Sequence, residues 1–363
     1  MFVPLAAALI LVNGLDPSAV FVGAGLLIVA AGAVFRIPFP VQPLKALTAV
    51  AVARELSPDV IHAAGLEIAA FLLVLSIGSV ANVISRAFTK PVVRALQFGV
   101  GVLLVTSAVK LVTKPPEVFR GTPSAPWPVL LAVAAGLGLA VAARQRQYAL
   151  ALLTLVGGVV AVWVTAAPVL NGPSLSLPSI GVPRAGAFAT AFVLLVIPQL
   201  PLTFGNAVVA VGDVAHVYFG DRASRVTPAR VCVSCGIGNA VSGLIGGMPM
   251  CHGSGGLTAH VRLGARTAAM NAGLGAAFLV LGVFFAPQVT TILGLLPVWA
   301  LAAFLAYAGL RHAWLVSDLR GAALMLAVVA GGIGAAMGNL AMTLAIGLAV
   351  DHLWLRRRAT VRA

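Results

Sequence analysis

Two short segments decide how this chain folds: IPFPVQPLK at residues 37–45 and GMPMCHGSGG at residues 247–256. Each interrupts strongly apolar sequence with prolines, glycines and polar residues, and then continues into a short helix-compatible stretch. Proline lacks a backbone donor and is tolerated in the first turn of a helix, whereas glycine lets the backbone approach another group closely. The pattern therefore predicts two short helices, each beginning at broken, non-helical backbone.

The composition places these breaks inside a membrane protein. Of the 363 residues, 61% are apolar and only 9% are charged, whereas globular proteins carry about 25% charged residues. So few polar residues cannot coat a water-facing surface, which excludes a soluble enzyme, a disordered chain and a disulfide-stapled module. The net charge of +14 is scattered between apolar runs, so it does not indicate nucleic-acid binding.

The apolar runs form about fourteen elements, since a membrane span needs about 20 mainly apolar residues. Elements 41–54 and 251–262 are too short to span alone. The first run lacks the basic start of a signal peptide, so we interpret it as a retained span. The elements are 1–13, 17–35, 41–54, 60–80, 91–112, 124–143, 148–168, 185–212, 229–246, 251–262, 267–286, 288–310, 320–338 and 339–355.

The order of these elements predicts an internal repeat. A polar, Pro/Gly/Ser-rich connection at 171–184 leaves seven elements on each side, and the short element is third in each half. Because seven is odd, the second half is inverted relative to the first, as in secondary transporters with a site near the membrane midplane. We predict an all-α polytopic fold with a 7+7 inverted repeat, comprising repeats 1–170 and 185–355 and a basic tail at 356–363.

Basic residues predict the orientation, because cytoplasmic loops carry an excess of Lys and Arg. With the N-terminus inside, most of the basic residues, including those of the tail, fall on the cytoplasmic side. We therefore expect a multi-pass protein of a bacterial-type inner membrane with a cytoplasmic C-terminus. The opposite side keeps only Arg54, Lys110, Lys114, Arg120 and Arg184, and Lys45 belongs to neither side.

Two facing half-helices favour an anion between them. Each helix N-terminus carries about half a positive charge, and Pro43, which suits the start of the first half-helix, is a candidate substrate-binding residue there. Lys45 lies at the unfavourable end of that helix dipole, and an anionic ligand would offset this cost. Alternatively, Lys45 pairs with Glu67 or extends to the membrane interface. Gln42 is a candidate ligand of the anion, or a cap for the broken backbone.

The second broken segment and its neighbours offer further candidates. His252 could donate to an oxyanion or titrate during transport, or it could bond a nearby carbonyl. Thr203 and Asn206 are three residues apart and could share a helix face at the site, or they could hydrogen-bond between helices. The candidates from the broken segment, where small glycines expose backbone N–H groups, are Cys251, His252, Gly253, Ser254, Gly255 and Gly256.

Other chemistry is sparse in the sequence. Glu67 and Asp213 are acids that could be partly buried, and each is either a proton-coupling group or part of a structural ion pair. Cys232 and Cys235 are spaced for helix packing and lack the partners of a metal site. No phosphate-binding fingerprint is present, so neither ATP-driven transport nor a cofactor is expected.

In these segments the sequence resembles the molybdate transporter family, a branch of the sulfate permease superfamily. The likeness is carried by residues 38–46, 200–210 and 247–257, and with the spacing of the apolar runs it covers essentially the whole chain. The resemblance implies a seven-plus-seven inverted repeat with core and gate domains, and a site on the third and tenth helices. It implies uptake of molybdate, a tetrahedral dianion similar to sulfate.

These observations predict a secondary transporter that binds molybdate between the half-helices and works by alternating access in the lipid bilayer. Sulfate is the alternative substrate, and a homodimer is a further expectation. A nucleobase:proton symporter would need a carboxylate beside the half-helices, where the chain has Gln42, Lys45 and His252. An intramembrane enzyme would need Cys251 and His252 to act together, but adjacent helical residues do not face each other; we expect no enzyme.

Overall fold

The computed structural model describes residues 2–77, 89–115, 172–295 and 298–351. The predicted elements 124–143 and 148–168 and the tail at 356–363 lie outside the described residues. Helices begin where the sequence supplies prolines and caps. Asp16, for example, accepts a hydrogen bond from the Ser18 N–H at 3.0 Å, and Pro17 occupies the first helical position that follows it.

The described elements of the first half correspond to the predicted ones. The third element is a half-helix that follows a two-residue strand, in place of the run 41–54. In chain order, the elements are α1 (Phe2–Leu11), α2 (Pro17–Phe35), β1 (Gln42–Pro43), α3 (Lys45–Ala53), α4 (Pro58–Leu75) and α5 (Lys90–Thr113).

The second half repeats the strand and half-helix. Its first element is wound partly as π-helix, at Phe192–Val196 and Thr203–Val209, and it ends at Phe219 rather than at the predicted 212. The α-helices and the strand are α6 (Ala185–Ala191), α7 (Ile197–Leu202), α8 (Ala210–Phe219), α9 (Pro228–Leu244), β2 (Met250–Cys251), α10 (Ser254–Arg262), α11 (Ala269–Phe284), α12 (Ala286–Leu295), α13 (Val298–Ala313), α14 (Gly321–Ala336) and α15 (Leu340–Val350).

The predicted element 288–310 is described in two parts. It comprises α12 and α13, which lie on either side of residues 296–297, outside the described residues, and α12 bends away from α11 by 97°. Within the described residues, four runs are long and apolar enough to cross a membrane as single helices: α2, α4, α5 and the run Ala185–Leu202. The other helices are shorter, as expected for a bundle built around broken segments.

The helices pack into two groups. The core bundle contains α2, α4, α9 and α11, and the flanking bundle contains α5, α13, α14 and α15. Glycines permit close helix contact in both: a Cβ at Gly25 would lie 2.9 Å from the Gly275 carbonyl oxygen, and one at Gly101 would lie 2.6 Å from that of Gly309. Small residues serve this purpose because lipid provides no hydrophobic force between helices.

The connection between the halves is irregular, as predicted. Residues 172–183 have no regular secondary structure and lie across the ends of core helices. The backbone N–H groups of Ser174 and Ser176 donate to the carbonyls of Phe284 and Val283 at 2.9 and 2.7 Å. These bonds satisfy carbonyls at the C-terminus of α11 and fix the connection to the core bundle.

Candidate anion-binding site

The two broken segments meet as a short antiparallel strand pair. Gln42 lies opposite Cys251 and Pro43 opposite Met250, and the Leu44 N–H donates to the Pro249 carbonyl at 3.1 Å. The pairing brings the N-termini of α3 and α10 together. It also satisfies backbone groups that could not remain unbonded at membrane depth.

Two asparagines of the core bundle hold the remaining broken backbone. The side chain of Asn239 bonds both the N–H and the carbonyl of Met250, at 2.8 and 2.7 Å. Asn271 bonds the N–H and the carbonyl of Phe39 in the same way, at 3.0 and 2.7 Å. Both asparagines are fully buried, so each supplies the partners that a neighbouring strand would supply in a sheet.

A cavity of about 670 Å³ lies between the core and flanking bundles, beside the strand pair. Its inner lining includes Gln42 and Gln199, which are 8% and 3% exposed, and its outer lining includes Leu263 and Leu315, which are 66% and 38% exposed. The cavity therefore opens at the ends of α10 and α13. The predicted site residues that line it are Gln42, Lys45, Asn206, Cys251, Ser254, Gly255 and Gly256.

The N-terminus of α10 is open toward this cavity. Its N-cap is Gly253, which provides no side-chain cap, and the Gly253 carbonyl accepts the Leu257 N–H at 3.1 Å. The three preceding N–H groups, those of Ser254, Gly255 and Gly256, have no partner within the helix. A Cβ added at Gly255 would meet no atom within 4 Å, so open space lies beside this backbone.

The N-terminus of α3 differs from the expected symmetrical arrangement because it is already capped. The Oε1 atom of Gln199 accepts the N–H groups of Ala46 and Leu47 at 3.0 and 3.1 Å. Gln199 in turn donates through Nε2 to the Thr203 hydroxyl at 3.1 Å. Gln199 thus occupies two N–H groups in the first turn of α3, whereas the first three N–H groups of α10 have no partner within their helix.

Thr203 consequently supports the site without lining it. It is 1% exposed and holds Gln199, whereas Asn206 reaches the cavity. The expected shared face of these two residues assumed α-helical winding, but residues 203–209 form a π-helix, which changes the angle between them. Gln199, four residues before Thr203, is a cavity residue that the sequence did not predict.

Two side-chain amides converge beside Gly253. The Ser254 hydroxyl donates to Asn206 Oδ1 at 2.8 Å, which uses the acceptor of that amide. A Cβ at Gly253 would lie 3.0 Å from Asn206 Nδ2 and only 2.0 Å from Gln42 Nε2. The absence of a side chain at Gly253 therefore lets two amide donors approach the start of α10.

Lys45 is the cation of the inner cavity. It lines the cavity at the first turn of α3, on the same wall as Cys251. In the part of the chain that the structure describes, no carboxylate forms an ion pair with Lys45, and Glu67 does not line the cavity. In the described residues Lys45 is therefore not paired with Glu67. It lines a cavity that is large enough to hold an anion.

Of the two roles considered for His252, the structure shows the bond to a nearby carbonyl. It is fully buried, and its Nδ1 lies 2.8 Å from the Pro40 carbonyl while its Nε2 lies 2.9 Å from the Ser234 hydroxyl. Because a carbonyl only accepts, Nδ1 carries the proton, and a neutral ring then accepts from Ser234 at Nε2. The rings of Phe35 and Phe39 pack against it, so His252 fixes the first broken segment.

The two acids lie away from the cavity. Asp213, expected to be partly buried, is exposed on α8. Glu67 is half-buried on α4 and shares a helix face with Phe71 and Val74, whose side chains are exposed. A coupling role for either acid stays a prediction.

The sequence reasoning also missed the residues of the flanking wall. Gln97 of α5 and Tyr307, Arg311 and His312 of α13 line the cavity opposite the core wall. A glutamine inside the otherwise apolar stretch of α5 is a signal that could have identified Gln97. Nothing in the local sequence of α13 predicts that Arg311 faces the same cavity as Lys45.

Comparison with known proteins agrees with this architecture. A family model described as "Molybdate transporter of MFS superfamily" matches residues 1–104 and 191–311, which include both strand and half-helix pairs. The chain belongs to this family. Molybdate transporter 2 of Arabidopsis thaliana is 29% identical over 88% of this chain and 76% of its own, and Molybdate transporter 1 of the same plant is 29% identical over 88% and 77%.

Solved structures show the fold of this molybdate transporter family member. The transmembrane domain of a cyanobacterium bicarbonate transporter, BicA, matches 93% of this chain and 93% of its own, with a TM-score of 0.68 and 17% identity. SLC26A9 matches 98% of this chain and 65% of its own, with a TM-score of 0.62 and 11% identity. The predicted polytopic helical fold with a 7+7 inverted repeat is thereby confirmed, and the chain is a multi-pass membrane protein.

Proposed function

We propose that this protein is a secondary transporter that carries molybdate across the cytoplasmic membrane by alternating access. The observation that carries the proposal is the chemistry of the cavity. Its described lining contains two basic side chains of the Lys/Arg type, Lys45 and Arg311, and no carboxylate. Two positive charges in a carboxylate-free cavity match a dianion, whose cost of leaving water is otherwise prohibitive.

The core wall offers the donors that a tetrahedral oxyanion needs. Such an anion presents only acceptors, and it faces the free N–H groups at the start of α10, the amides of Gln42 and Asn206, and the ammonium of Lys45. Hydrogen bonds to a charged group are worth about 1.5–3 kcal/mol each. Several such hydrogen bonds can replace the water molecules that hydrate the anion in solution.

Alternating access is supported by the closure of the opposite end. Arg54, at the C-terminal end of α3, donates to the carbonyls of Gly338 and Met337 at 2.8 and 2.6 Å. Next to it, Glu55 forms an ion pair with Lys110 of α5. We call these contacts the closing contacts. They join the site half-helix to the flanking bundle at the end away from the cavity mouth.

The finer expectations follow from the same features. Arg54 and Lys110 belong to the sparse non-cytoplasmic set of basic residues, so the open mouth faces the cytoplasm and the C-terminus is cytoplasmic. Sulfate remains the alternative substrate because it presents the same charge and shape. Nucleobase symport is disfavoured because the described cavity lining has no carboxylate to accept base N–H groups. A homodimer stays a prediction.

The experiment is uptake of radiolabelled molybdate into proteoliposomes. We expect uptake above that of empty vesicles, competition by excess sulfate or tungstate, and no competition by uracil. Lys45→Met should abolish uptake, whereas the matched variant Lys114→Met, at an exposed lysine, should retain it. Wild-type protein that neither takes up nor binds molybdate would refute the proposal. Uptake of sulfate without uptake of molybdate would show that sulfate is the substrate.

A further inference from the structure

The flanking wall of the cavity has a polar organisation of its own. The expected site residues lie on the core wall and the half-helices, yet Gln97 and Arg311 face the same space from the other bundle. The cavity measures about 670 Å³, within the range of about 300–1,000 Å³ found for drug-sized ligands. A five-atom anion held against α10 leaves much of this volume unoccupied, including the region beside the flanking wall.

A chain of charged groups fixes the orientation of Gln97. Asp318, which precedes α14, accepts two hydrogen bonds from Arg94, at 2.9 and 2.6 Å, and lies 3.0 Å from the Lys90 ammonium. Arg94 also donates through Nη1 to Gln97 Oε1 at 2.7 Å. The Arg94 and Lys90 cations hold the pKa of Asp318 well below its usual range. Asp318 is therefore ionised at physiological pH, and its carboxylate anchors Arg94.

This arrangement determines what Gln97 can offer to the cavity. Arginine has only donors, so the end of the amide that faces Arg94 is the oxygen. The Nε2 amide of Gln97, with two N–H donors, is therefore left for the cavity. The amide behaves as a fixed donor because its acceptor is already used.

Arg311 is the second donor of this wall, and it adds a positive charge. It is exposed, close to the cavity mouth, one position before His312. His312 Nδ1 lies 3.0 Å from the Ala308 carbonyl and so carries the ring proton. The remaining nitrogen of a neutral His312 is then an acceptor, which leaves Arg311 and Gln97 as the donors of this wall that can meet an anion.

We propose that Gln97 and Arg311 form a second anion-binding position, on the flanking wall, for the same tetrahedral oxyanion. This inference rests on the proposed function. The second position is weaker than the one on the core wall because it is exposed and lacks free helix N–H groups. An anion passing through the mouth occupies it before reaching Lys45, and after leaving Lys45 in the reverse direction.

The test is a calorimetric titration of purified protein with sodium molybdate, with uptake measured on the same preparation. Wild type should bind in a tight and a weaker step, and Lys45→Met should lose the tight step. Gln97→Glu keeps the acceptor for Arg94 but replaces the donors with a carboxylate. This variant and Arg311→Gln should weaken the second step by at least about 10-fold, since each removes one hydrogen bond to a charged group.

Arg94 acts only through Gln97 and is therefore a positioning residue. Arg94→Met should weaken the second step in wild type, and it should have no effect in a Gln97→Ala background. A wild-type protein that takes up molybdate but binds it in one step, or a second step unchanged in Gln97→Glu and Arg311→Gln, would overturn the second position alone. Wild type with neither uptake nor binding would overturn the proposed function as well.

Discussion

Alanine at Gly253 would remove one ligand of the anion without straining the backbone. The residue has φ −162° and ψ 137°, an extended conformation that alanine adopts freely. Its Cβ, however, would lie 2.0 Å from Gln42 Nε2 and 3.0 Å from Asn206 Nδ2. The substitution therefore acts through the two amides beside the start of α10, and chiefly through Gln42.

The geometry sets the size of the effect. Ordinary contact with a Cβ begins at 3.4 Å, so the Gln42 amide must retreat by about 1.4 Å. A hydrogen bond stretched by this amount from its usual length of about 2.9 Å is no longer made. Losing one bond to a charged group costs about 1.5–3 kcal/mol, which corresponds to a Kd about 10- to 150-fold higher.

The assay is calorimetric measurement of the molybdate Kd for Gly253→Ala, Gln42→Ala and the double variant. Both single variants should weaken binding to a similar extent, and the double variant should be no weaker than Gln42→Ala, because the two changes remove the same contact. The matched control is Gly273→Ala, on the exposed surface of α11, where a Cβ meets nothing within 4 Å. Its Kd should equal that of wild type.

Two results would refute this reasoning. A Gly253→Ala protein that binds molybdate as tightly as wild type would show that the Gln42 amide is not a ligand. Losses that add fully in the double variant would show that Gly253 acts independently of Gln42. Thermal unfolding of each variant distinguishes both results from simple misfolding.

The remaining predictions address other parts of the account. Gly255→Val should raise the molybdate Kd while leaving the melting temperature unchanged, because its side chain extends into the cavity and meets no protein atom within 4 Å of its Cβ; full affinity would contradict the free-backbone model. Gln199→Leu should lower stability by about 1–3 kcal/mol for each of the two N–H groups it leaves unpaired, measured by thermal unfolding, and an unchanged melting temperature would argue against the cap. Arg54→Gln should expose Cys251 to a membrane-impermeant thiol reagent from the side of the closing contacts, and protection equal to wild type would rule out a gating role for Arg54.

The local sequence predicted the half-helices but not the way they are satisfied. Prolines and glycines act within a few residues, so Pro43 and the run 247–256 located the two backbone breaks and the two short helices, whereas the pairing of β1 with β2 was not predicted. Gln199 caps α3 from 153 residues away, and no local pattern encodes such a partner. The same is true of Asn239 and Asn271, whose roles depend on which broken segment each helix packs against.

The differences in the site have a related cause. Thr203 and Asn206 were placed on one face by assuming 3.6 residues per turn, and the π-helical winding of Thr203–Val209 separates them. Lys45 was identified because a cation in a broken apolar segment is conspicuous in any sequence. Gln97 and Arg311 become part of the cavity only when α5 and α13 cross at Gly101 and Gly309.

The central claim is that a molybdate ion binds at the free N-terminus of α10 beside Lys45. The most direct measurement is anomalous diffraction at the molybdenum K edge from crystals grown with molybdate. The account predicts that the strongest peak lies in the cavity, with oxygens within about 3.2 Å of the backbone nitrogens of Gly255 or Gly256. A strongest peak outside the cavity, or an unoccupied cavity at saturating molybdate, would contradict it.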